Sequence, residues 1–122
     1  MIGSTRKLKV WAYPQPYDLR KGYNCLYGLV TEGLGREPLD GDVYLFCNRK
    51  RTSAKALHFD GTGLCIYMKR LETGRFACLW SPTQAGCLML TMSELALFLE
   101  GSALVGREAL SPREIRPVPV AR

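Results

Sequence analysis

Histidine is almost missing from this 122-residue chain, with His58 its single example. The five cysteines, Cys25, Cys47, Cys65, Cys78 and Cys87, are odd in number and scattered, and no two share the close spacing of a zinc knuckle. Neither a metal site nor a cofactor is expected. Four of the cysteines sit in apolar runs, where a free thiol behaves as a small hydrophobe, so a reduced, cytoplasmic protein is the simplest expectation. No apolar run approaches the length of a membrane span. Met1 to Lys7 leads into no long apolar stretch, so neither a signal peptide nor a membrane partner is expected. Acids are also scarce, at 11 against 17 bases, for a net charge of +6. Five of those six excess charges fall between Val43 and Phe76, where Arg49, Lys50, Arg51, Lys55, Lys69, Arg70 and Arg75 face only Asp60 and Glu72. Clustering of this kind is an electrostatic footprint for phosphates or for an acidic partner, although a solvated face looks the same.

The hydrophobic content of 47% is that of a soluble globular domain large enough to bury a core without disulfides. Leu8 to Tyr13 has strand composition and ends at Pro14-Gln15-Pro16. Asp18 then suits an N-cap for a helix to about Leu34, with Leu19, Tyr23, Leu26, Val30 and Leu34 as its buried stripe and Gly33, Gly35 and Pro38 at its end. Strands are predicted over Val43 to Cys47, Ala54 to Phe59, Leu64 to Met68 and Phe76 to Trp80, with a short one at Cys87 to Leu90. Asp60-Gly61 predicts a type I′ turn and Thr73-Gly74 a second hairpin. Thr91 with Glu94 forms a capping box that opens a helix with Leu95, Phe98 and Leu99 on its core side and Gly101 as its stop. The prediction is a single α+β domain over residues 8–105, an antiparallel β-meander of about five strands with one helix before it and one after. A flexible N-terminus (1–7) and a Pro/Arg-containing tail (106–122) flank it. Both faces of the strands are apolar, which calls for cover by helices or by a second copy of the chain.

Three groups of bases are candidate nucleic-acid contacts. Arg20 and Lys21 fall in the first turn of the predicted helix, where the macrodipole favours acids; a phosphate on the turn's N–H groups would resolve the conflict. Arg49, Lys50 and Arg51 occupy a hairpin loop able to reach a duplex backbone or groove. Lys69, Arg70 and Arg75 flank the Thr73-Gly74 turn as one expected patch, extended by Lys55, with Glu72 as an internal ion-pair partner. Tyr44, Phe46, Phe59, Tyr67, Phe76 and Trp80 interleave with these bases as in single-strand binders, but alternating strand aromatics are ordinary core material. Asp18, Asp60, Glu72 and Glu100 lack the spacing of a two-metal site, and His58 lies mid-strand, where a half-buried structural role fits better than a nucleophile pair. No catalytic residue is expected.

Several segments, taken in order, carry a resemblance: Asp18-Leu19-Arg20-Lys21-Gly22, Phe46 through Arg51 with Lys55 and Leu57, Phe59 through Leu64, Lys69 through Phe76, Leu90 through Leu95, and Phe98 through Gly101. Together they resemble the TnpB accessory proteins of insertion-sequence-66 transposons, over roughly Val10 to Ser102. Ala77 to Trp80 departs from the tryptophan-proline usual there, and Ser81 to Leu88 has an unusual composition for the family. The resemblance implies a small bacterial, cytoplasmic protein encoded beside a large transposase and needed for efficient transposition, with strand transfer left to the transposase. The function expected is therefore a non-enzymatic accessory factor that binds DNA at the element ends, duplex ahead of single strand, or the transposase–DNA complex. An adaptor docked on the transposase through its basic face is the alternative, and a small metal-dependent nuclease a distant third.

Overall fold

Five strands form one mixed sheet in the order β4-β3-β2-β1-β5. The computed structural model describes residues 8–18, 20, 22–80 and 87–101; the expected N-terminal and C-terminal tails lie outside them. The strands are β1 (Val10–Ala12), β2 (Val43–Cys47), β3 (Ser53–Phe59), β4 (Leu64–Arg70) and β5 (Leu88–Leu90). Helix α1 (Tyr23–Gly28) joins β1 to β2, and α2 (Met92–Leu99) follows β5. A single α+β domain with five strands, one early helix and one late helix is thus what the sequence builds.

The sheet is not a pure meander. β1 pairs with β2 in parallel, with Trp11 opposite Tyr44, because the α1 crossover returns the chain in the same direction. β2–β3, β3–β4 and β1–β5 are antiparallel. Every residue of β2, the central strand, is buried, as its run of apolar residues on both faces requires. On one face Tyr44, Phe46 and Leu57 pack against Leu26 and Val30 of α1 and its extension. On the other, Val43, Leu45, Cys47, Ala54 and Ala56 pack against Leu95 and Phe98 of α2. Each fully buried side chain of this size contributes about 1.5–3 kcal/mol, so the two clusters carry the fold.

The predicted hairpin partner over Phe76 to Trp80 is not a strand. One backbone bond, from the Phe76 amide to the Arg51 carbonyl at 2.7 Å, fixes its start. Its side chains then fill the α2 face, with Phe76 and Leu79 buried and Phe76 stacked on Phe98 at 4.8 Å. Buried positions three apart suit an extended cover segment rather than the two-residue period of a strand. β5 takes the fifth place in the sheet, on the outer side of β1.

Helix α1 begins at Tyr23 with Gly22 at its N-cap and no side-chain cap. Asp18 does not cap it: its carboxylate accepts the Arg20 amide at 3.0 Å, a local turn that competes with helix formation. The late start leaves Tyr23 exposed, while Leu26 and Val30 remain on the buried stripe. α1 runs into a π-helical turn over Leu29–Gly33, and the Leu34 amide donates back to Leu29. The Asp60 loop is not a type I′ turn either. It spans four residues, and only Gly61 has positive φ (107°). The Asp60 carboxylate accepts the amides of Thr62 (2.9 Å) and Gly63 (3.0 Å), closing the loop from its own side chain. At α2 the capping box is present as expected: Glu94 N–H to Thr91 Oγ1 (3.1 Å) and Thr91 N–H to Glu94 Oε1 (2.8 Å), with Gly101 at φ 87° beyond the end.

Candidate nucleic-acid interface

The chain after β1 does not leave the sheet at once. The Tyr13 amide donates to the Leu45 carbonyl (2.8 Å) and the Tyr17 amide to the Cys47 carbonyl (3.0 Å), and both rings lie against Phe46. This parallel run carries the segment to the C-terminal end of β2 and sets Asp18 and Arg20 beside the β2–β3 loop. That loop is tightly tied. Asn48 Oδ1 accepts the amides of Thr52 (2.9 Å) and Ser53 (3.1 Å), its Nδ2 donates to Thr52 Oγ1, and the Asn48 amide donates to the Ser53 carbonyl. Arg49 and Lys50 stand exposed at its tip.

Between these two segments lies an open cleft of about 830 Å³, lined by Pro16, Tyr17, Asp18, Arg20, Asn48, Arg49, Lys50, Ser53 and Met68. Strand register brings Ser53 and Met68 to it: Ser53 faces Arg70 and Lys55 faces Met68 across β3–β4, and alternation puts all four on the α1 side of the sheet, with Ser53 and Met68 lining the cleft. Met68 is 52% exposed, whereas Lys55 is buried. Three cations against one carboxylate leave the cleft wall net positive. Asp18 occupies part of that potential. Its carboxylate takes Arg20 in a fork, Nη2 to Oδ2 at 2.8 Å and Nε to Oδ1 at 3.0 Å, and this pairing raises the guanidinium pKa further above its ordinary value.

The nine candidate bases therefore divide. Arg20, Arg49 and Lys50 share the cleft wall, and Lys55 and Arg70 lie on the same face of the sheet. Arg20 is not in a helical turn, so no helix N-terminus presents an anion site there. Lys21 lies outside the described residues. Arg51 adopts φ 61°, the left-handed region, and parts from its neighbours. It lies close enough to the buried Cys47 thiol, on the α2 side, for its charge to act there; burial still pushes that thiol up to about 12. Lys69 leaves the expected patch altogether. Adjacent strand residues face opposite ways, and its Nζ donates to the Leu99 carbonyl (2.7 Å) at the C-terminal end of α2, where a cation complements the helix dipole. Arg70 pairs with Glu72 at 3.4 Å in solvent, the partner role expected of Glu72. Arg75 is exposed.

Asp60 is committed to its own loop. The four bonds and contacts at Asp60, from Thr62, Gly63 and Cys65, lower its pKa to about 2. Cys65 is the ladder partner of His58, yet its thiol donates to Asp60 Oδ2 (3.5 Å), and burial and then Asp60 raise its pKa. Among the described residues neither ring nitrogen of His58 has a hydrogen-bond partner, so the two are not wired as a nucleophile and its base.

A polar network that the sequence reading did not single out sits at the opposite end of β2. Asp42, 1% exposed, accepts the Trp11 indole N–H (3.0 Å), while Arg36 lies 4.0 Å over the Trp11 ring. Arg36 Nε donates to the Tyr44 hydroxyl (3.2 Å), which donates to Asp40 Oδ2 (2.7 Å). Its Arg36–Asp40 ion pair, at 3.4 Å, joins residues near in sequence, whereas Trp11 comes from a distant strand. Its donors and acceptors satisfy one another, which marks it as a structural clasp.

The family model for IS66 Orf2 like protein matches residues 8–108. Two relatives from Sinorhizobium fredii (strain NBRC 101917 / NGR234) are each 33% identical over 101 residues, which is 83% of this chain: uncharacterized protein y4jC, covered over 85% of its length, and uncharacterized protein y4hO, covered over 86%. No solved structure matches the chain. The family match makes the chain an accessory protein associated with a transposon. The chain belongs to the IS66 Orf2-like family, the TnpB accessory proteins of those elements.

Proposed function

We propose that the protein is a non-catalytic accessory factor of transposition that engages DNA, alone or within the transposase complex, through the cationic cleft at the loop end of its sheet. One observation carries this reading: Arg20 and the Arg49-Lys50 pair, about thirty positions apart in sequence, meet on one wall, where Asp18 is the one acid among the described residues. Phosphate contacts of this kind position a protein on nucleic acid without reading sequence. Fluorescence anisotropy over a salt series tests it, with labelled DNA from the element ends and the Arg49→Ala/Lys50→Ala variant. The parent is expected to bind with micromolar or tighter affinity at low salt. The variant is expected to flatten the slope of log K against log salt by about two if each side chain neutralises a duplex phosphate. An unchanged slope refutes the assignment of these residues.

The Asp18–Arg20 fork supports a second reading, since a carboxylate is the group that Arg20 already holds at the cleft wall. In that reading the occupant is an acidic segment of the transposase. Absence of DNA binding at low salt, together with salt-sensitive binding to purified transposase, would select it.

A further inference from the structure

The cleft is not uniformly charged. Beside the three cations, its lining includes the apolar or aromatic Pro16, Tyr17 and Met68. Met68 is over half exposed on a strand whose inward neighbours Leu64 and Ile66 pack against the α1-side core. Met68 thus sets an accessible thioether beside three cations, and thioethers and aromatic rings both make favourable contacts with flat π systems. At about 830 Å³ the open cleft has room for a flat ring.

A duplex uses such a cleft poorly. It presents phosphates outward and keeps its base faces stacked, so its backbone would satisfy Arg49 and Lys50 while leaving the apolar lining against water or against charge. An unpaired strand supplies both kinds of group at once, phosphates for the cations and a base face for the apolar lining, as in proteins that bind single strands. We therefore propose, resting on the DNA-binding reading above, that the occupant of the cleft is an unpaired DNA strand, with phosphates on Arg20, Arg49 and Lys50 and a base against Met68 and Tyr17. This reverses the order expected from the sequence, which set duplex first.

Anisotropy titration of the full chain with three labelled probes at one ionic strength tests the proposal: a single-stranded 20-mer, the matching blunt duplex, and a single strand of the same length with abasic sites throughout its centre. The intact single strand is expected to bind at least ten-fold more tightly than either of the others, since base contacts with one platform carry roughly that factor or more. Met68→Ala, at an exposed position that leaves the core intact, is expected to weaken single-strand binding three- to ten-fold while leaving duplex affinity unchanged. Equal or tighter duplex binding, equal abasic binding, or an unaffected Met68→Ala each overturns this proposal while the DNA-binding reading stands. Failure of all three probes to bind at low salt overturns both.

Discussion

Asp42→Ala probes the clasp that holds β1, the Arg36 loop and the start of β2 together. Asp42 accepts from the Trp11 indole at 3.0 Å, from the Lys9 amide at 3.4 Å and from Arg36 at 3.5 Å, and its side chain is 2% exposed. Arg36 keeps Asp40, Tyr44 and the face of Trp11 when Asp42 is removed, and it is one-third exposed, so its loss is small. The cost falls on the stranded indole N–H and on the weakly bonded Lys9 amide. A hydrogen bond to a charged acceptor contributes about 1.5–3 kcal/mol, so Asp42→Ala is expected to cost about 3 kcal/mol in total. That is a large share of the 5–15 kcal/mol typical of a domain. With a urea slope of about 1.5 kcal/mol/M, the unfolding midpoint falls by about 2 M, read by tryptophan fluorescence with Trp11 at the site itself. Asp42→Asn retains an acceptor oxygen and is expected to lose about half as much. In a Trp11→Phe background there is no indole to strand, and Asp42→Ala should then cost at least 1 kcal/mol less. A midpoint shift below about 0.5 M, or an equal cost in both backgrounds, refutes the clasp.

Lys69→Met keeps the side-chain stem and removes the ammonium from the Leu99 carbonyl. It is expected to cost about 1 kcal/mol in urea unfolding and to leave the DNA salt slope unchanged; a slope flattened by about one would mean that Lys69 contacts phosphate after all. Tyr44→Phe tests the phenol, whose pKa is raised above 10 first by burial and then by its bond to Asp40. A raised folded-state value means the associated stability is present in full below the unfolded value near 10 and is lost as pH rises beyond it. The parent should therefore lose stability more steeply than Tyr44→Phe between pH 9 and 11 in urea unfolding, and parallel curves would refute the assignment.

What the sequence made legible is whatever local chemistry decides. Thr91 and Glu94 lie within one turn of each other, and their capping box formed as their spacing required. β2, β3 and β4 formed within a residue or two of their expected ends, because their apolar runs are bounded by Asp, Gly and Asn. The start of α1 was not legible, because Asp18 has two local uses, capping a helix or closing a turn on Arg20, and the competition is settled by packing rather than by spacing. The parallel sense of the β1–β2 pairing was legible in the strand–helix–strand order, but the choice of β2 as the neighbour of β1 is long-range and no local signal encodes it. The convergence of Arg20 with Arg49 and Lys50 follows from that same pairing, so the composition of the cleft was legible but its assembly was not. The separation of Lys69 from Arg70 was legible in principle, since adjacent strand residues face opposite sides.

The construction of the β2–β3 loop explains why the bases there divide as they do. Asn48 spends its side chain on Thr52 and Ser53, which leaves the loop short and closed. A loop closed so tightly needs one residue in the left-handed region, and that residue is Arg51 rather than a glycine or asparagine. Its conformation is held from both sides, by its own amide on the Asn48 carbonyl (3.0 Å) and by the Phe76 amide on its carbonyl (2.7 Å). Arg49 and Lys50 line the cleft from this loop, and Arg51, after the kink, does not. A strained position persists where its surroundings over-determine it, and here the surroundings are the loop closure and the cover segment of the α2 core. The two cleft cations are therefore presented from a fixed backbone, so binding an anion there has no loop to order first. The entropic cost that a flexible basic loop would bring to each phosphate contact is already met in folding.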